Sequence, residues 1–252
     1  MRQRFGAFVI GDELLVGKRQ DKHMAFLIQA LAKRGLRLAH CEYLGDDPER
    51  LTAALKRSFA SGDIVFSFGG IGATPDDHTR QCAAAALGVP LALHPEAERE
   101  IRGRFGAEIT PKRLEMGEFP VGAEIIPNPL NRVPGFTVRE HWFVPGFPQM
   151  AWPMAEWVLE EKYRQLFDRD RWAEGSVFVY DAGESQLVPQ MEEVSARFPG
   201  VKVFSLPSMG EDGSRRHVEL GVRGDPAQAG EALQMLKDGV IAAGFPFSDD
   251  PK

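Results

Sequence analysis

Two cysteines, Cys41 and Cys82, are all that 252 residues contain. They are too few and too scattered for a disulfide framework or a CxxC metal site, so a reducing cytoplasm is the default expectation. No apolar run approaches the roughly 20 residues of a membrane helix. Met1-Arg2-Gln3-Arg4 is basic, but the apolar stretch behind it stops at Asp12, which reads as a buried strand and not a signal peptide. Cations are not in surplus: the net charge of −6 argues against a broad nucleic-acid surface. The dinucleotide pattern GxGxxG and the P-loop lysine are both missing, and there is no internal repeat or low-complexity tract. What is left is an ordinary globular composition, 43% apolar and 26% charged, in a length that allows one large domain or a medium domain plus a small one.

Within that composition one stretch stands out, Asp63 to Thr79, DIVFSFGGIGATPDDHT. Ile64-Val65-Phe66, extended by Phe68, is a short apolar run that fits a strand buried on both faces. Gly69-Gly70-Ile71-Gly72 breaks it, and glycines let backbone amides approach a ligand closely. A helical stretch follows to Leu87, ended by Gly88. Strand, glycine loop and helix start in series make an anion site. Two carboxylates beside a phosphate make sense if a divalent cation lies between, since hard cations take oxygen ligands. Thr74-Pro75-Asp76-Asp77 also suits a helix start, with Thr as N-cap, Pro at N1 and acids in the first turn. Both readings stand at this level.

The chain around this stretch alternates strand and helix. Phe5–Ile10 is predicted as a strand and Gly11-Asp12-Glu13-Leu14-Leu15-Val16-Gly17 as a loop. Asp21 caps a helix whose stripe is Met24, Leu27, Ile28 and Leu31, ended by Gly35. After a strand over 36–44, Asp47 and Pro48 open a helix with a buried face of Leu51, Ala54, Leu55, Ser58 and Phe59. Helices are also expected from His94-Pro95-Glu96 to about Phe105 and near Pro111–Met116. A proline-punctuated loop through Asn128, Pro129 and Gly135 comes next, then a strand at Trp142-Phe143-Val144. Pro145-Gly146-Phe147-Pro148 leads into a helix carrying Trp152 and Trp157, both read as packing residues. Short β–α connections predict a three-layer, mostly parallel sheet over residues 1–168. Its strand ends would form one ligand crevice. Charged residues 160–170 mark a boundary. Beyond them a βαββα pattern predicts a smaller α+β domain over 172–252, with an antiparallel pair joined through residues 208–213. A KH-type RNA module needs a basic face beside its GxxG loop; Gly210-Glu211-Asp212-Gly213 has the spacing but carries two acids, and the domain offers no basic face. His23, His78 and His94 are possible ligands or bases, with structural roles as the alternative.

GGIGATPDDHT resembles the GGxGxxxxDxT signature of the molybdopterin-binding domain shared by the molybdenum-cofactor adenylyltransferase (MoaB/Mog-like) family. Paired Asp76-Asp77 with Thr74 is most similar to one branch, the competence/damage-inducible protein A (CinA) family. Its first and second loops resemble Gly11–Gly17 and Gly45-Asp46-Asp47-Pro48-Glu49-Arg50-Leu51. Its late loops resemble Asn128-Pro129 to Phe136 and Val144 to Met150, and Gly183-Glu184-Ser185 resembles the start of its second domain. The chain departs from it at Asp21-Lys22-His23-Met24, where relatives usually carry a small hydroxyl residue and Asn. That departure bears on the base or pterin end of the ligand.

The resemblance implies a phosphorylated pterin or a nucleotide diphosphate as ligand. The activity it implies is metal-dependent hydrolysis of a nucleotide pyrophosphate such as that of ADP-ribose, with non-catalytic binding of a pterin or nucleotide as the alternative. It assigns phosphate to the amides of Gly69, Gly70 and Gly72. Gly11, Asp12, Glu13, Thr74, Thr79, Asn128, Pro129, Gly135, Pro145 and Gly146 would complete the ligand site. A divalent cation (Mg2+, Mn2+ or Co2+) would sit on Asp77, Asp46 and Asp76, with Asp77 and Asp46 catalytic and Glu13 assisting. A homo-oligomer is expected, with no membrane or nucleic-acid partner. The stop at Lys252, short of the family's nicotinamide-nucleotide amidase domain, implies no amidase activity.

Overall fold

The computed structural model describes residues 4–167, 172–210 and 215–251. Two compact units divide the chain, Met1–Phe167 and Asp168–Lys252.

In the first unit the apolar runs become strands β1 (Phe5–Ile10), β2 (Leu38–Leu44) and β3 (Ile64–Phe68). The periodic segments between them become helices: a single turn α1 (Asp12–Leu15), α2 (His23–Ala32) and α3 (Pro48–Phe59). Then come α4 (Thr79–Leu87), β4 (Leu91–Leu93), α5 (Pro95–Phe105), α6 (Pro111–Leu114) and β5 (Glu118–Pro120). The unit closes with β6 (Glu124–Ile126), β7 (Gly135–Val138), β8 (His141–Val144) and α7 (Pro148–Lys162). The main sheet runs β2-β1-β3-β8-β7-β6, and β4 pairs with β5 separately. The first four strands are parallel, while β7 and β6 add an antiparallel edge.

Central β3 is buried along its whole length, as its unbroken apolar run requires. Ile64, Phe66 and Phe68 face one core with Leu27, Leu31, Met154, Val158 and Leu159. Val65 joins Phe8, Ile10, Leu51, Leu55, Phe136 and Phe143 on the other side. The connections are short because each helix end is punctuated locally. Asp47 accepts from the Arg50 amide at 2.8 Å, His94 caps α5 by accepting from Glu96, and Gly88 ends α4 with φ 69°. Leu51, Ala54, Leu55, Ser58 and Phe59 are the buried face of α3.

Four local expectations are corrected. Gly11–Gly17 is not all loop, because Asp12–Leu15 forms a helical turn. Reciprocal bonds between Asp12 and Asp46, each amide to the other's carboxylate at 2.9 and 3.1 Å, fasten that turn to the loop after β2. The stripe of α2 is rotated: His23, Leu27, Ala30 and Leu31 are buried, and Ile28 is 45% exposed. Packing of Phe26 flat on Trp152 at 4.8 Å sets that rotation. Gly135 and Phe136 lie in a strand and not in the preceding loop. A Cβ on Gly135 would stand 2.3 Å from the Phe143 carbonyl oxygen, so only glycine lets β7 approach β8 there. Helix α4 begins at Thr79 and not at Thr74.

The second unit builds the antiparallel sheet β10-β11-β9-β12 from β9 (Ala173–Tyr180), β10 (Val201–Ser208), β11 (His217–Gly224) and β12 (Phe247–Ser248). Helices α8 (Val188–Arg197) and α9 (Pro226–Ala242) supply Val194, Ala232, Leu236 and Val240 to its core. Val218, Leu220 and Val222 are buried on β11, as their alternation predicts. The two-residue strand β12 escapes sequence patterning because it is shorter than any period. Of the loop joining β10 to β11, residues 211–214 lie outside the described residues, as do 168–170 of the charged boundary.

Candidate functional site

The carboxyl ends of β1, β2, β3 and β8 surround a crevice of about 800 Å³. Gly11, Glu13, Asp46, Gly69, Gly70, Gly72, Thr74, Asp76, Asp77, Asn128, Pro145 and Gly146 line it, so the fold gathers five separate loops at one place. This is where an open α/β sheet leaves room between diverging connections. Asp12, Thr79, Pro129 and Gly135 are not among the lining residues. Asp12 is held by Asp46, Gly135 packs under β8, and Thr79 is fully buried beneath the glycine turn.

That turn is tightly built. Gly69 has φ 105°, and a Cβ there would lie 2.3 Å from the backbone oxygen of Ile10, so no other residue fits. Its amide donates to the Val144 carbonyl at 3.0 Å, which corrects the assignment of phosphate to that amide. The Thr79 hydroxyl donates to the Gly69 carbonyl at 3.1 Å, and the Thr79 amide donates to the Gly70 carbonyl at 3.0 Å. Arg80, 2% exposed, donates to the Gly72 carbonyl at 2.6 Å and also to the Glu115 and Glu118 carbonyls. With the Gly69 and Gly70 carbonyls turned inward in this way, the N–H groups of the same two planar peptides, those of Gly70 and Ile71, point the opposite way. No hydrogen bond among the described residues uses the amides of Gly70, Ile71 or Gly72. Gly70 is left-handed (φ 68°), and successive open amides in such a turn have the geometry that suits an anion.

Asp77 neither caps nor enters the helix. Its Oδ2 accepts from the Thr74 amide at 2.8 Å and from the Thr74 hydroxyl at 2.5 Å, closing the turn before α4. Burial raises the Asp46 carboxyl above the usual carboxylate range. Repulsion from Asp12, Glu13 and Asp76 adds to that, and the Asp12 amide partly opposes it. Among the described residues no three His, Cys, Asp or Glu side chains form a group that could hold a metal ion by themselves. Asp46 and Asp77 are already engaged with Asp12 and Thr74.

Several lining residues were not legible in the sequence. Lys18 and Arg19 stand on the rim, with Arg19 3.8 Å from Glu13. Asn131, Phe147 and Met150 complete the wall, and the Asn131 side-chain amide donates to the Met150 sulfur at 3.1 Å. Asn128, although it lines the crevice, spends its side chain on Val133 and Leu130, pinning its own loop. One available signal was Arg80, a single charge two residues before the apolar helical run Cys82–Leu87. His94 caps α5, and His23 lies in the wall of a neighbouring cavity.

Known proteins share both sequence and fold with this arrangement. The profile described as a probable molybdopterin binding domain matches residues 6–165, which include the glycine turn and every crevice loop. The chain belongs to that family. A CinA-like protein of Anaeromyxobacter sp. (strain Fw109-5) is 33% identical over 254 residues, covering 92% of this chain and 62% of that protein. The chain thus spans about three fifths of that relative's length. A protein of Aeropyrum pernix is 30% identical over 96% of this chain and 95% of its own. The crystal structure of CinA from Thermoplasma acidophilum, described as of unknown function, superposes with a TM-score of 0.58 at 25% identity. It covers 63% of this chain and 98% of its own. The first unit is therefore a molybdopterin-binding-type domain of the kind found in CinA-like proteins. No helix among the described residues is long and apolar enough to cross a membrane.

Proposed function

We propose that the molybdopterin-binding-type domain holds a phosphorylated pterin or a nucleotide, with a phosphate on the open amides of Gly70, Ile71 and Gly72. Those three unpaired amides carry the reading, because an anion is the partner that satisfies several convergent N–H groups at once. Lys18 and Arg19 on the rim add positive charge, and a crevice of about 800 Å³ is in the range that small-molecule sites occupy. Phe147 and Met150 offer apolar surface for a ring.

Metal-dependent hydrolysis of a nucleotide pyrophosphate is the second reading. It is favoured by the mutual repulsion of Asp46 with Asp12, Glu13 and Asp76, which a bound cation would relieve.

Titration calorimetry with AMP, ADP-ribose and neopterin monophosphate, each with and without Mg2+, Mn2+ or Co2+, tests both. Binding of at least one phosphorylated compound, lost when the phosphate is removed as in adenosine or neopterin, is the expected result. Equal binding of adenosine and AMP would overturn the phosphate assignment. Metal-dependent release of AMP from ADP-ribose, lost in Asp46→Asn, would establish hydrolysis.

A further inference from the structure

Beneath the glycine turn lies a buried cation. Arg80 is 2% exposed, and its guanidinium donates to backbone oxygens: Gly72 at 2.6 Å, Glu118 at 3.2 Å and Glu115. Its Nε is buried without a hydrogen-bond partner. No ion pair among the described residues includes it; the charges of Glu118, Asp77 and Glu115 reach it through space. Arginine keeps its charge in proteins, and a buried charge outside an ion pair is costly. The Gly72 carbonyl that accepts from Arg80 shares one planar trans peptide with the Ala73 N–H. That N–H therefore points away from the guanidinium. Ala73 is half-buried and lines the crevice, and no hydrogen bond among the described residues uses its amide. A cation on a peptide oxygen polarises the peptide and makes its N–H a stronger donor. The crevice has few other sources of positive charge. Glu13, Asp46, Asp76 and Asp77 line it against Lys18 and Arg19, and Arg19 is 3.8 Å from Glu13.

We propose that Arg80 is a positioning residue for the anion, acting through the Gly72–Ala73 peptide, and that the Ala73 amide is a further donor to the phosphate beside those of Gly70, Ile71 and Gly72. This deepens the phosphate reading above and rests on it. Arg80 aims the peptide and lends it charge, while the phosphate offsets a buried charge from the far side of the same peptide. The contribution is electrostatic, so it grows with the charge on the ligand. A phosphomonoester gains its second negative charge at about pH 6, and the benefit from Arg80 rises through that ionisation.

Titration calorimetry of wild type, Arg80→Gln and Arg80→Lys with AMP and neopterin monophosphate, above and below that ionisation, tests the role of the charge. Glutamine keeps an N–H donor and loses the charge; lysine keeps the charge and loses the planar fork. Above the ionisation, affinity for whichever compound binds wild type should fall about tenfold or more in Arg80→Gln. The loss should be smaller below the ionisation, and smaller in Arg80→Lys. A loss that is the same on both sides of the ionisation, equal losses in the two variants, or no loss at all marks a structural role and overturns the inference. Proton–nitrogen NMR of wild type gives an answer independent of how either variant folds. The Ala73 amide proton should move downfield as the phosphorylated compound saturates the site, and further as the bound phosphate takes its second charge. An unmoved Ala73 amide with the compound bound overturns the inference and leaves the phosphate reading standing. If neither compound binds wild type, the phosphate reading fails and this inference falls with it.

Discussion

The two ends of the parallel sheet carry two buried histidines with opposite fates. At the amino end His141 opens β8, with Nε2 2.7 Å from the Ser58 hydroxyl and Nδ1 2.7 Å from the Arg139 carbonyl. Beside it Arg4 pairs with buried Asp63 at 3.0 Å. At the carboxyl end His23 makes one ring bond and leaves the other nitrogen open, and three glycine-turn amides are open with it. Buried polar groups are normally satisfied, so the amino end is built for stability. The carboxyl end leaves groups unpaired where its loops diverge, and that is the end the proposed ligand would complete. The strands are the same at both ends, and only the pairing differs.

The strongest way to break the comparison is to close the carboxyl end. Gly69→Ala places a Cβ against the Ile10 carbonyl at a φ that alanine avoids. It should cost about 3 kcal/mol or more in urea unfolding and abolish ligand binding. Full binding with native stability would refute the tight turn.

Next is the pH response of the amino end. Burial pushes the His141 pKa from 6.5 down to about 4, partly opposed by the Arg139 carbonyl and Asp63, with His40 acting in the same direction as burial. Between those values the unfolded chain binds a proton that the folded chain refuses. Stability should therefore fall as pH drops from about 6.5 to about 4, by on the order of 3 kcal/mol, and flatten below. Urea unfolding across that range should lose this component in His141→Gln.

Removing single partners sharpens the contrast. Ser58→Ala leaves a buried His141 nitrogen unpaired and should cost about 1–3 kcal/mol. His23→Phe should cost about 1 kcal/mol or less, because Gly146 is exposed and water can replace the lost donor. Equal losses in urea unfolding would erase the distinction between the two ends. The smallest effect is Asp46→Asn, which keeps an acceptor for the Asp12 amide and removes repulsion. With solvent screening discounted, the ligand-free protein should gain a few tenths of a kcal/mol, read as a small rise in Tm.

Much of this was legible in the residues alone. The buried face of α3, the Asp47 cap, the Gly88 stop and the two-sided burial of β3 follow from period and local punctuation. The glycine loop marked one wall of the crevice. Thr74-Pro75-Asp76-Asp77 was ambiguous because the same residue types start helices and close turns. Arg80 and Thr79 settle it by drawing the Gly72, Gly69 and Gly70 carbonyls inward, so the helix starts only at Thr79. The stripe of α2 misled for a similar reason, since Ile28 suits a core but the Phe26–Trp152 stack turns it outward.

The sequence by itself determined the layered α/β unit, the smaller antiparallel unit and the position of the glycine turn. Those rest on spacing, and spacing acts between residues near in the chain. Tertiary structure alone decided which amides stay open, because the partner that takes the Gly69 amide is Val144 from a different strand. It also decided which of two buried histidines is satisfied. His141 meets Ser58 across β8 and α3, and His23 meets only Gly146, because hydrogen-bond pairing depends on which distant groups the packed core brings within reach.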